Sequence, residues 1–512
     1  MRFALVRAVL LAWYKLSLKG LALIVRGKKS RQVKFIYTRH QNWILGSSDI
    51  DLIILYSDHD PGRDKIFFVS FWRRYIALRF LFPMLCEVSE IRWISLARLG
   101  GHPLHSQSEA HLLINPEQWI CIFDRGEETA MQAPVFNPPQ KSHLPLTMFL
   151  EFNLYGYIQR QLFSNEHHPE LRIDRMAKCA VKILQHLHYL QAGEYVDVRR
   201  FQEKLHDESA GKPWQIYATM MQGLLSSKED RELARSIFEI LVVLSRAHET
   251  ITDCEPAGSE PRHAVPGDWQ GTGLGDFLAD VEQEFADRVS LVAFRSPYKQ
   301  YHTRLFFVVS GETSFEDFYS FVRFSRKYHD VFQAEKILLN ATTSTLLTSQ
   351  FYSLWGHVAL EAYILQAQEV YAPRGGLRIL PPKEAWTLQK IRESVAVFEE
   401  FYLPFMMSPL AKGEGIDFCK IYERAETEIL FHYYCYLKDK DGYLELIRDS
   451  GSSADEVIAY GCANYGNEIG IHNWHPIRFI DSYPYLKTMI RLVDEMALKR
   501  LESVKSETQY ST

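Results

Sequence analysis

The chain has few cysteines and no spacing that would pair them. Its 512 residues include seven cysteines, an odd number, and no two form a Cys-x-x-Cys pair. The seven are Cys86, Cys121, Cys179, Cys254, Cys419, Cys435 and Cys462. Such a set argues against a disulfide framework and against a structural zinc site. The pattern favours a reducing compartment, and we expect a cytoplasmic protein.

The chain also lacks a long apolar run without charges. Residues 1 to 26 are rich in apolar side chains, but their longest uncharged stretch, residues 8 to 14, is far shorter than the roughly 20 residues that span a bilayer. Four cations divide this segment: Arg7, Lys15, Lys19 and Arg26. At about 100° per residue these cations fall within an arc of about 120°, as in an amphipathic helix with a basic stripe. We expect no transmembrane segment and a helix that packs on the N-terminal sheet, with contact to a membrane surface as the alternative.

Negative charge is scarce in the first 150 residues. They hold 19 Lys and Arg against 12 Asp and Glu, a net charge of +7, and the chain totals of 58 and 63 leave 39 against 51, a net of −12, for the rest. A basic N-terminal region suits an anionic nucleotide or nucleic acid, whereas the acidic remainder disfavours a long groove that tracks a phosphate backbone. We therefore expect a compact acceptor, a small molecule or a protein, rather than a long nucleic acid.

One run in the basic region carries chemistry: Gly46-Ser47-Ser48-Asp49-Ile50-Asp51-Leu52. The apolar residues 53 to 56 that follow it predict a buried strand that ends in a turn. Alternation along a strand places Asp49 and Asp51 on one face, with Cα atoms roughly 6 to 7 Å apart. Two carboxylates on one face repel each other unless a cation lies between them, and hard oxygen ligands suit Mg²⁺ or Mn²⁺. The run therefore predicts a divalent metal site, with the glycine and two serines at its start positioned to contact a phosphate.

This run resembles the metal-binding signature of the DNA polymerase beta-type nucleotidyltransferase superfamily, over roughly residues 30 to 95. The resemblance implies a small twisted mixed sheet flanked by helices, with the Asp-x-Asp strand at its centre and a third carboxylate on a neighbouring strand. It implies that Asp49 and Asp51 hold two Mg²⁺ or Mn²⁺ ions, which clamp the attacking and leaving oxygens of a phosphoryl displacement. A nucleoside triphosphate (NTP) is then the expected substrate.

The same resemblance implies an acidic residue one helix downstream of the aspartates, between apolar residues. Residues 67 to 80 predict that helix, and Glu87 follows it between Cys86 and Val88. Glu90 is the alternative, and strand alternation places it on the opposite face from Glu87. We take Glu87 as the expected third metal ligand and catalytic carboxylate.

The chain lacks the Gly-Ser pair that this superfamily usually carries upstream of the first aspartate, at the end of the preceding strand. Here that strand is predicted over residues 33 to 37, and Thr38 and Arg39 follow it. The Thr38 hydroxyl can replace the serine, and the Arg39 guanidinium matches phosphate oxygens as a bidentate fork. We expect both residues to bind the triphosphate, although the missing glycine removes close approach of the backbone.

The rest of the chain predicts helical domains and a second small α/β unit, so the whole chain is expected to have an α+β fold. Strands at residues 289 to 294 and 304 to 309, followed by a helix opened by Ser314, predict the second α/β unit. A stretch with three prolines and five glycines predicts a linker. We expect a catalytic domain at residues 1–140, a helical domain at 141–251, the linker at 252–276, the small α/β unit at 277–345 and a helical C-terminal domain at 346–505.

Together these features predict a metal-dependent nucleotidyltransferase. It would transfer a nucleoside monophosphate from an NTP to an acceptor hydroxyl of a small molecule or protein, with release of pyrophosphate. Asp49, Asp51 and Glu87 are the expected catalytic and metal-binding residues. Two alternatives stay open: an enzyme that extends RNA 3′ ends, favoured if the basic N-terminal helix lines a groove, and a catalytically inactive module that retained the fold for binding.

Overall fold

The structure of the protein is a computed structural model. The described residues are 2–27, 30–39, 50–57, 61–87, 90–96, 119–125, 162–163, 181, 184, 188, 192, 196, 198–207, 211–226, 230–249, 271–286, 288–294, 303–309, 313–343, 369–371, 384–406, 417–450, 454–469 and 479–510. They are mostly helical, with two small mixed sheets. This is an α+β architecture, as the sequence predicted.

The chain divides into two compact units that interleave along the sequence. The first unit comprises residues 1–139, 391–443 and 455–512, and the second comprises residues 140–390 and 444–454. The five expected segments therefore do not correspond one to one to the units, since the N-terminal region and most of the C-terminal helices share the first. Packing between segments far apart in the chain leaves no mark in local composition, which is why the sequence did not reveal this grouping.

The first unit begins with two helices and four strands: α1 (Arg2–Arg26), β1 (Val33–Arg39), β2 (Leu52–Tyr56), α2 (Pro61–Leu81), β3 (Arg92–Ser95) and β4 (Trp119–Asp124). The strands form one sheet in the order β3-β2-β1-β4. β1 is antiparallel to both β2 and β4, whereas β2 is parallel to β3. Parallel neighbours need a crossover connection, and α2 provides it.

One face of this first sheet packs on α2 through large aromatic side chains. Trp93 of β3 meets Phe68, Phe71 and Trp72 edge-on, with ring centroids 4.9, 4.8 and 5.8 Å away. The three α2 residues recur at helical spacing, so they form one stripe on the side of the helix that faces the sheet. All four rings are buried. Edge-to-face pairs of this kind stabilise the contact beyond the area that they bury.

Helix α1 contacts the first unit along one stripe and exposes the opposite side. Tyr14, Leu21 and Val25 are buried, and Gly20 lies where an added Cβ would stand 2.8 Å from the Leu78 side chain of α2. The helix therefore packs on α2, and glycine permits the close approach. The exposed side carries large apolar residues within an arc of about 100°: Leu5, Val6, Val9, Trp13, Leu16 and Leu23.

Leu5–Arg26 is also long and apolar enough to cross a membrane, with a mean hydropathy of 1.7. This is weak evidence, because core helices and N-terminal signal sequences have the same length and composition. The buried stripe on α1 fits a helix packed in the first unit. Contact of its exposed side with a membrane surface stays a prediction.

The second unit contains a helical part and a sheet part. Its described helices and strands are α3 (Val198–Leu205), α4 (Lys212–Ser226), α5 (Asp230–Glu249), α6 (Gly273–Phe285), β5 (Leu291–Phe294), β6 (Thr303–Val309), α7 (Phe315–Ser325), α8 (His329–Ala334), β7 (Ile337–Thr343) and β8 (Glu369–Tyr371). A short 3₁₀ helix, Arg326–Tyr328, joins α7 to α8. The second sheet has the order β7-β6-β5-β8, with β5 antiparallel to β6 and β8, and β6 parallel to β7.

The two strands and the helix predicted for this region are confirmed. Observed β5 and β6 lie within the predicted stretches to within two residues, and α7 starts directly after Ser314. The Ser314 hydroxyl accepts a hydrogen bond from the Asp317 backbone N–H at 3.1 Å, which is the N-cap interaction that the sequence indicated.

The predicted linker is wrong at its C-terminal end. Its last residues form the first turn of α6, where Thr272 caps the helix by accepting a hydrogen bond from the Gly275 N–H at 3.1 Å. Leu274 and Gly275 are buried there. Gly271 has φ 77°, a left-handed conformation that glycine adopts without strain. The cap residue was visible in the sequence, but the density of glycines around it suggested a hinge instead.

The remaining described helices follow the second sheet. They are α9 (Glu384–Val397), a π-helical turn (Phe398–Tyr402), α10 (Leu403–Met406), α11 (Asp417–Lys438), α12 (Lys440–Ser450), α13 (Ala454–Ile469) and α14 (Phe479–Tyr510). Most of these residues complete the first unit. Helix α14 packs on both α11 and α2, so the last helix of the chain covers the crossover helix of the first sheet.

Candidate nucleotide and metal site

Asp51 lies at the start of β2, an interior strand of the first sheet. Its neighbour Ile50 forms a parallel bridge with Leu85, and the Ile50 N–H donates to the Met84 carbonyl at 2.8 Å. These contacts hold the backbone at the entrance to the strand. Asp51 itself is half-buried. The other residues of the metal-binding run, Gly46, Ser47, Ser48 and Asp49, lie outside the described part of the chain.

Asp51 lies on the face of the sheet that points away from α2. Alternation places it with Ile53 and Leu55, and these two residues form a buried cluster with Phe35 and Ile94. The intervening residues of β2 share the other face with Trp93, which packs on α2. The carboxylate therefore lies at the edge of an apolar surface that the crossover helix does not occupy.

Arg39 and Thr38 end the neighbouring strand, and the register separates their roles. β1 pairs Tyr37 with Ile53 and Thr38 with Leu52, so continuing the antiparallel register brings Arg39 opposite Asp51 on the same face. The side chain of Arg39 is outside the description. Thr38 falls on the α2 face and is 1% exposed. The register thus keeps the Arg39 position beside Asp51 and moves the Thr38 hydroxyl away from it.

Glu87 is held on the side of α2. Its carboxylate forms an ion pair with Arg79 of that helix, and its side chain is 62% exposed. The bridge between Ile50 and Leu85 sets the register here: Glu87 follows Leu85 by two residues and so shares the face of Ile50, not that of Asp51. The structure does not bring Glu87 together with Asp51 on one face.

Glu90 lies two residues before β3, the parallel neighbour of β2, whose first residue Arg92 pairs with Ile53. It ends a turn in which its N–H donates to the Glu87 carbonyl at 2.9 Å. The Glu90 carboxylate accepts a hydrogen bond from the Glu87 backbone N–H at 2.8 Å, and Glu90 is exposed. Because Glu87 is paired with Arg79 on α2, Glu90, the alternative, becomes the candidate for a third carboxylate near Asp51.

Arg92 is a candidate residue that the sequence analysis missed. It pairs with Ile53 across the sheet and shares that residue's face, so it lies on the same face as Asp51. Arg39 occupies the corresponding position on β1, the strand on the other side of β2. Alternation within β3 indicates which residues share a face with Arg92. Whether that face is also the face of Asp51 depends on how β3 pairs with β2, and the sequence alone does not show this pairing.

Tyr37 adds a protonated hydroxyl to this face. Burial raises its pKa to about 12, and the nearby Cys121 and Asp124 add to the shift. The phenol thus stays neutral at physiological pH and keeps its ability to donate a hydrogen bond.

The described residues alone do not make a complete metal centre. Among them, no group of three or more His, Cys, Asp and Glu side chains is placed to hold an ion. Asp49, the partner expected for Asp51, is not among them. Asp51 and Glu90 do supply the carboxylate oxygens that Mg²⁺ and Mn²⁺ prefer.

Comparisons with known proteins give no relative for this chain. No family model matches it, and no match is found among curated proteins or solved structures.

Proposed function

We propose that the first unit is a metal-dependent nucleotidyltransferase that transfers a nucleoside monophosphate from an NTP to an acceptor hydroxyl of a small molecule or protein. The proposal rests on one observation: Asp51 begins an interior strand of a small mixed sheet, on the face away from the crossover helix and between two strands that each carry an arginine. The small mixed sheet with its crossover helix supports the proposal without deciding it.

The reaction is an in-line substitution at the α-phosphorus. The acceptor oxygen forms a bond to phosphorus, the bond to the bridging oxygen of pyrophosphate breaks, and the acceptor hydroxyl proton leaves to a base or to solvent. Two divalent ions, when bound, neutralise charge on the phosphates and lower the pKa of the attacking hydroxyl.

The residues of the chain have separate tasks in this scheme. Asp49 and Asp51 would hold the ions, and Glu90 would complete one ion site and accept the hydroxyl proton. Arg39 and Arg92 would contact the β- and γ-phosphates of the NTP, because a guanidinium binds two phosphate oxygens at once. Glu87, paired with Arg79, takes no part.

The deciding experiment measures transfer of label from an α-³²P NTP, with each of the four NTPs, Mg²⁺ or Mn²⁺, and a cell extract as the acceptor source. We expect the wild-type chain to produce a labelled product and Asp51→Asn to lose at least ~100-fold of this activity, since it removes a metal ligand. Equal labelling by both proteins would refute the proposal.

Two glutamate variants test which carboxylate completes the site. Glu90→Gln should reduce labelling as strongly as Asp51→Asn does, whereas Glu87→Gln should leave it near the wild-type level. The two residues are three apart and both are exposed, so each variant controls for the other. The reverse result would restore Glu87 as the metal ligand.

A second candidate function is a nucleotide-binding module without catalysis. It is favoured by the position of Thr38, whose hydroxyl lies on the α2 face and so does not replace the missing serine of the Gly-Ser pair. Calorimetric titration separates the two: binding of Mg²⁺–NTP with no labelled product favours the binding module, and labelled product excludes it.

A further inference from the structure

The two sheets have the same strand connectivity. In each, the first strand is antiparallel to the second and to the fourth, and the second strand is parallel to the third through a crossover helix or helix pair. The strand orders, β3-β2-β1-β4 and β7-β6-β5-β8, are equivalent. A helix precedes the first strand in both cases, α1 in one and α6 in the other. Each sheet is thus an α-β-β-α-β-β module.

Most of the connections agree in length as well. The first helix and first strand are joined by 27–32 in the first module and by 286–290 in the second, and the second strand and crossover by 57–60 and 310–314. The crossovers span 61–81 and 315–334, and the third and fourth strands are joined by 96–118 and 344–368. The two connections that differ more are the one between the first two strands, 40–51 against 295–302, and the one before the third strand, 82–91 against 335–336.

The modules also agree in which side of the second strand faces the helices. In β6, Leu305, Phe307 and Val309 are buried in one cluster with α6 and α7. They correspond to Leu52, Ile54 and Tyr56 of β2, which share the α2 face. This alignment places Arg304 at the position of Asp51. The second module therefore carries a cation where the first carries the carboxylate.

In the first unit, the last helix of the chain completes the first module. Lys487 of α14 is fully buried, donates to the Tyr56 hydroxyl of β2 at 3.2 Å and forms an ion pair with Glu399 of the π-helical turn. Tyr483 of α14 packs against Phe68 of α2, with ring centroids 6.3 Å apart. Both contacts join the beginning of the chain to its end.

In the second unit, a helix from the first half of the chain completes the second module. Phe238 of α5 packs on Phe318 of α7, with ring centroids 5.5 Å apart. Arg231 of α5 forms an ion pair with Glu316. Arg326, after α7, donates from Nε to the Leu162 carbonyl at 2.8 Å. Helix α5 thus lies on the crossover of the second module as α14 lies on that of the first.

The spacing along the chain makes α5 and α14 counterparts. β4 ends at position 124 and α5 begins at position 230, whereas β8 ends at position 371 and α14 begins at position 479. The separation between fourth strand and closing helix is therefore nearly the same in the two halves. We call α5 and α14 the closing helices, because each follows the module of its own half of the sequence. Each nevertheless packs on the crossover helix of the module in the other half.

We propose that the chain is two copies of one module, each followed by helices, and that the copies have exchanged their closing helices so that each serves as the other's partner. The arrangement is the one that domain swapping produces between two identical chains, here within a single chain. The second copy has Arg304 at the position of Asp51 and so lacks a metal-binding carboxylate there, which makes this second copy non-catalytic. This last clause rests on the proposed function, whereas the exchange does not.

Cleavage of the full chain between the two halves tests the exchange. A specific protease site is placed within residues 252–270, Arg231 and Glu316 are changed to Cys, and the cut protein is treated with a short bis-maleimide. Exchange predicts that the cut halves stay together on native gel filtration and become covalently joined, giving a band near the 59.6 kDa of the intact chain under denaturing conditions. The same cut protein with Arg231→Cys alone controls for reaction of the seven native cysteines.

Two results would overturn the exchange: separation of the cut halves in native buffer, or fragments that stay together but give no joined band with both new cysteines present. A Mn²⁺ titration tests the non-catalytic assignment separately. Asp51→Asn should abolish binding, and Arg304→Gln should leave it unchanged; binding that persists in Asp51→Asn would assign the metal to another site and overturn the assignment. If the wild-type chain binds no Mn²⁺, the proposed function fails while the cleavage result stands.

Discussion

The first and second modules have the same order and direction of strands, and they differ in the residue at one end of the second strand. Both second strands bury alternate apolar residues against a crossover helix. At the open end of that strand the first module has Asp51, and the second has Arg304. Apolar alternation is thus common to the two modules, whereas the residue at the open end of the second strand is an aspartate in one and an arginine in the other.

The modules differ as well in how the closing helix is attached. In the first unit a buried lysine, Lys487, pairs with a buried glutamate, Glu399, with 0% and 7% of their side chains exposed. In the second unit the ion pair of Arg231 and Glu316 is 50% and 63% exposed, and aromatic contacts around Phe315 and Phe318 carry the packing. One attachment depends on a desolvated charge pair, and the other depends on apolar contact.

The largest expected effect contrasts these two attachments. Lys487→Met leaves Glu399 buried without its cation, which should lower the free energy of unfolding by about 3–5 kcal/mol. Arg231→Met removes a solvated ion pair with Glu316 and the contacts of the guanidinium with the Phe315 and Tyr319 rings, and should cost about 1 kcal/mol or less. Urea unfolding followed by tryptophan fluorescence measures both. Equal losses would show that the two closing helices are attached in the same way.

A second pair of variants compares the helices that open the modules. Leu21 of α1 and Leu278 of α6 are 0% and 2% exposed, so each change to Ala should leave a cavity and cost about 2–5 kcal/mol. Leu16→Ala is the control, because Leu16 is 55% exposed and should change stability by less than ~0.5 kcal/mol. If Leu21→Ala were as mild as Leu16→Ala in thermal unfolding, α1 would not be packed as α6 is.

The pH dependence of stability provides a smaller test, with one tyrosine in each unit. Burial raises the pKa of both Tyr37 and Tyr217 to about 12. A phenol with a raised pKa holds its proton more tightly in the folded state, so its stabilisation is complete below the unfolded pKa of about 10 and is lost as the pH rises towards 12. Tyr37→Phe and Tyr217→Phe should each reduce that loss by on the order of 1 kcal/mol or less.

Unfolding by urea at pH 9 and pH 11 measures this difference. Equal pH dependence in wild type and both variants would mean that neither phenol is desolvated as described. A change in only one variant would locate the buried phenol in one unit and break the parallel between them.

The smallest expected effect concerns the exposed sides of α1 and α6. α1 exposes apolar residues flanked by lysines, whereas α6 exposes acidic residues such as Asp280 and Glu284. We expect the protein to sediment with phosphatidylglycerol-containing vesicles more than with neutral ones, and the double change Val9→Gln and Leu16→Gln to lower the bound fraction severalfold. Ile216→Gln, at an exposed apolar site in the second unit, is the matched control. Binding unchanged by the α1 variant would assign any vesicle contact to another surface.

The sequence predicted those features that depend on a single strand or on one end of a single helix. The strand after Asp51, the cap at Ser314 and the first two strands of the second sheet follow from alternation and capping within a few neighbouring residues. Strand β7 was not predicted, and β8 (Glu369–Tyr371) lies in the region predicted as a helical C-terminal domain. The choice between Glu87 and Glu90 did not follow from the sequence either, because alternation assigns faces only within one strand and the chain turns between the two glutamates. The same limit hid the position of Thr38 and the role of Arg92.

The exchange of closing helices lay further beyond the sequence. Helices α5 and α14 each show an ordinary apolar stripe, and nothing in a stripe says which of two similar crossover helices it will meet. The similar spacing of α5 and α14 from the strands before them was present in the sequence, but it acquires meaning only once the two sheets are known to match.

The attachment of α14 to the first module has a consequence for synthesis of the chain. The strands of that module are complete by position 124, but the helix that closes it begins at position 479, so more than half of the chain must be made in between. At about 5–20 residues per second, a ribosome needs roughly 20–70 seconds for this stretch. The nascent first sheet thus waits with its aromatic crossover helix uncovered, and that interval is when chaperones would protect it.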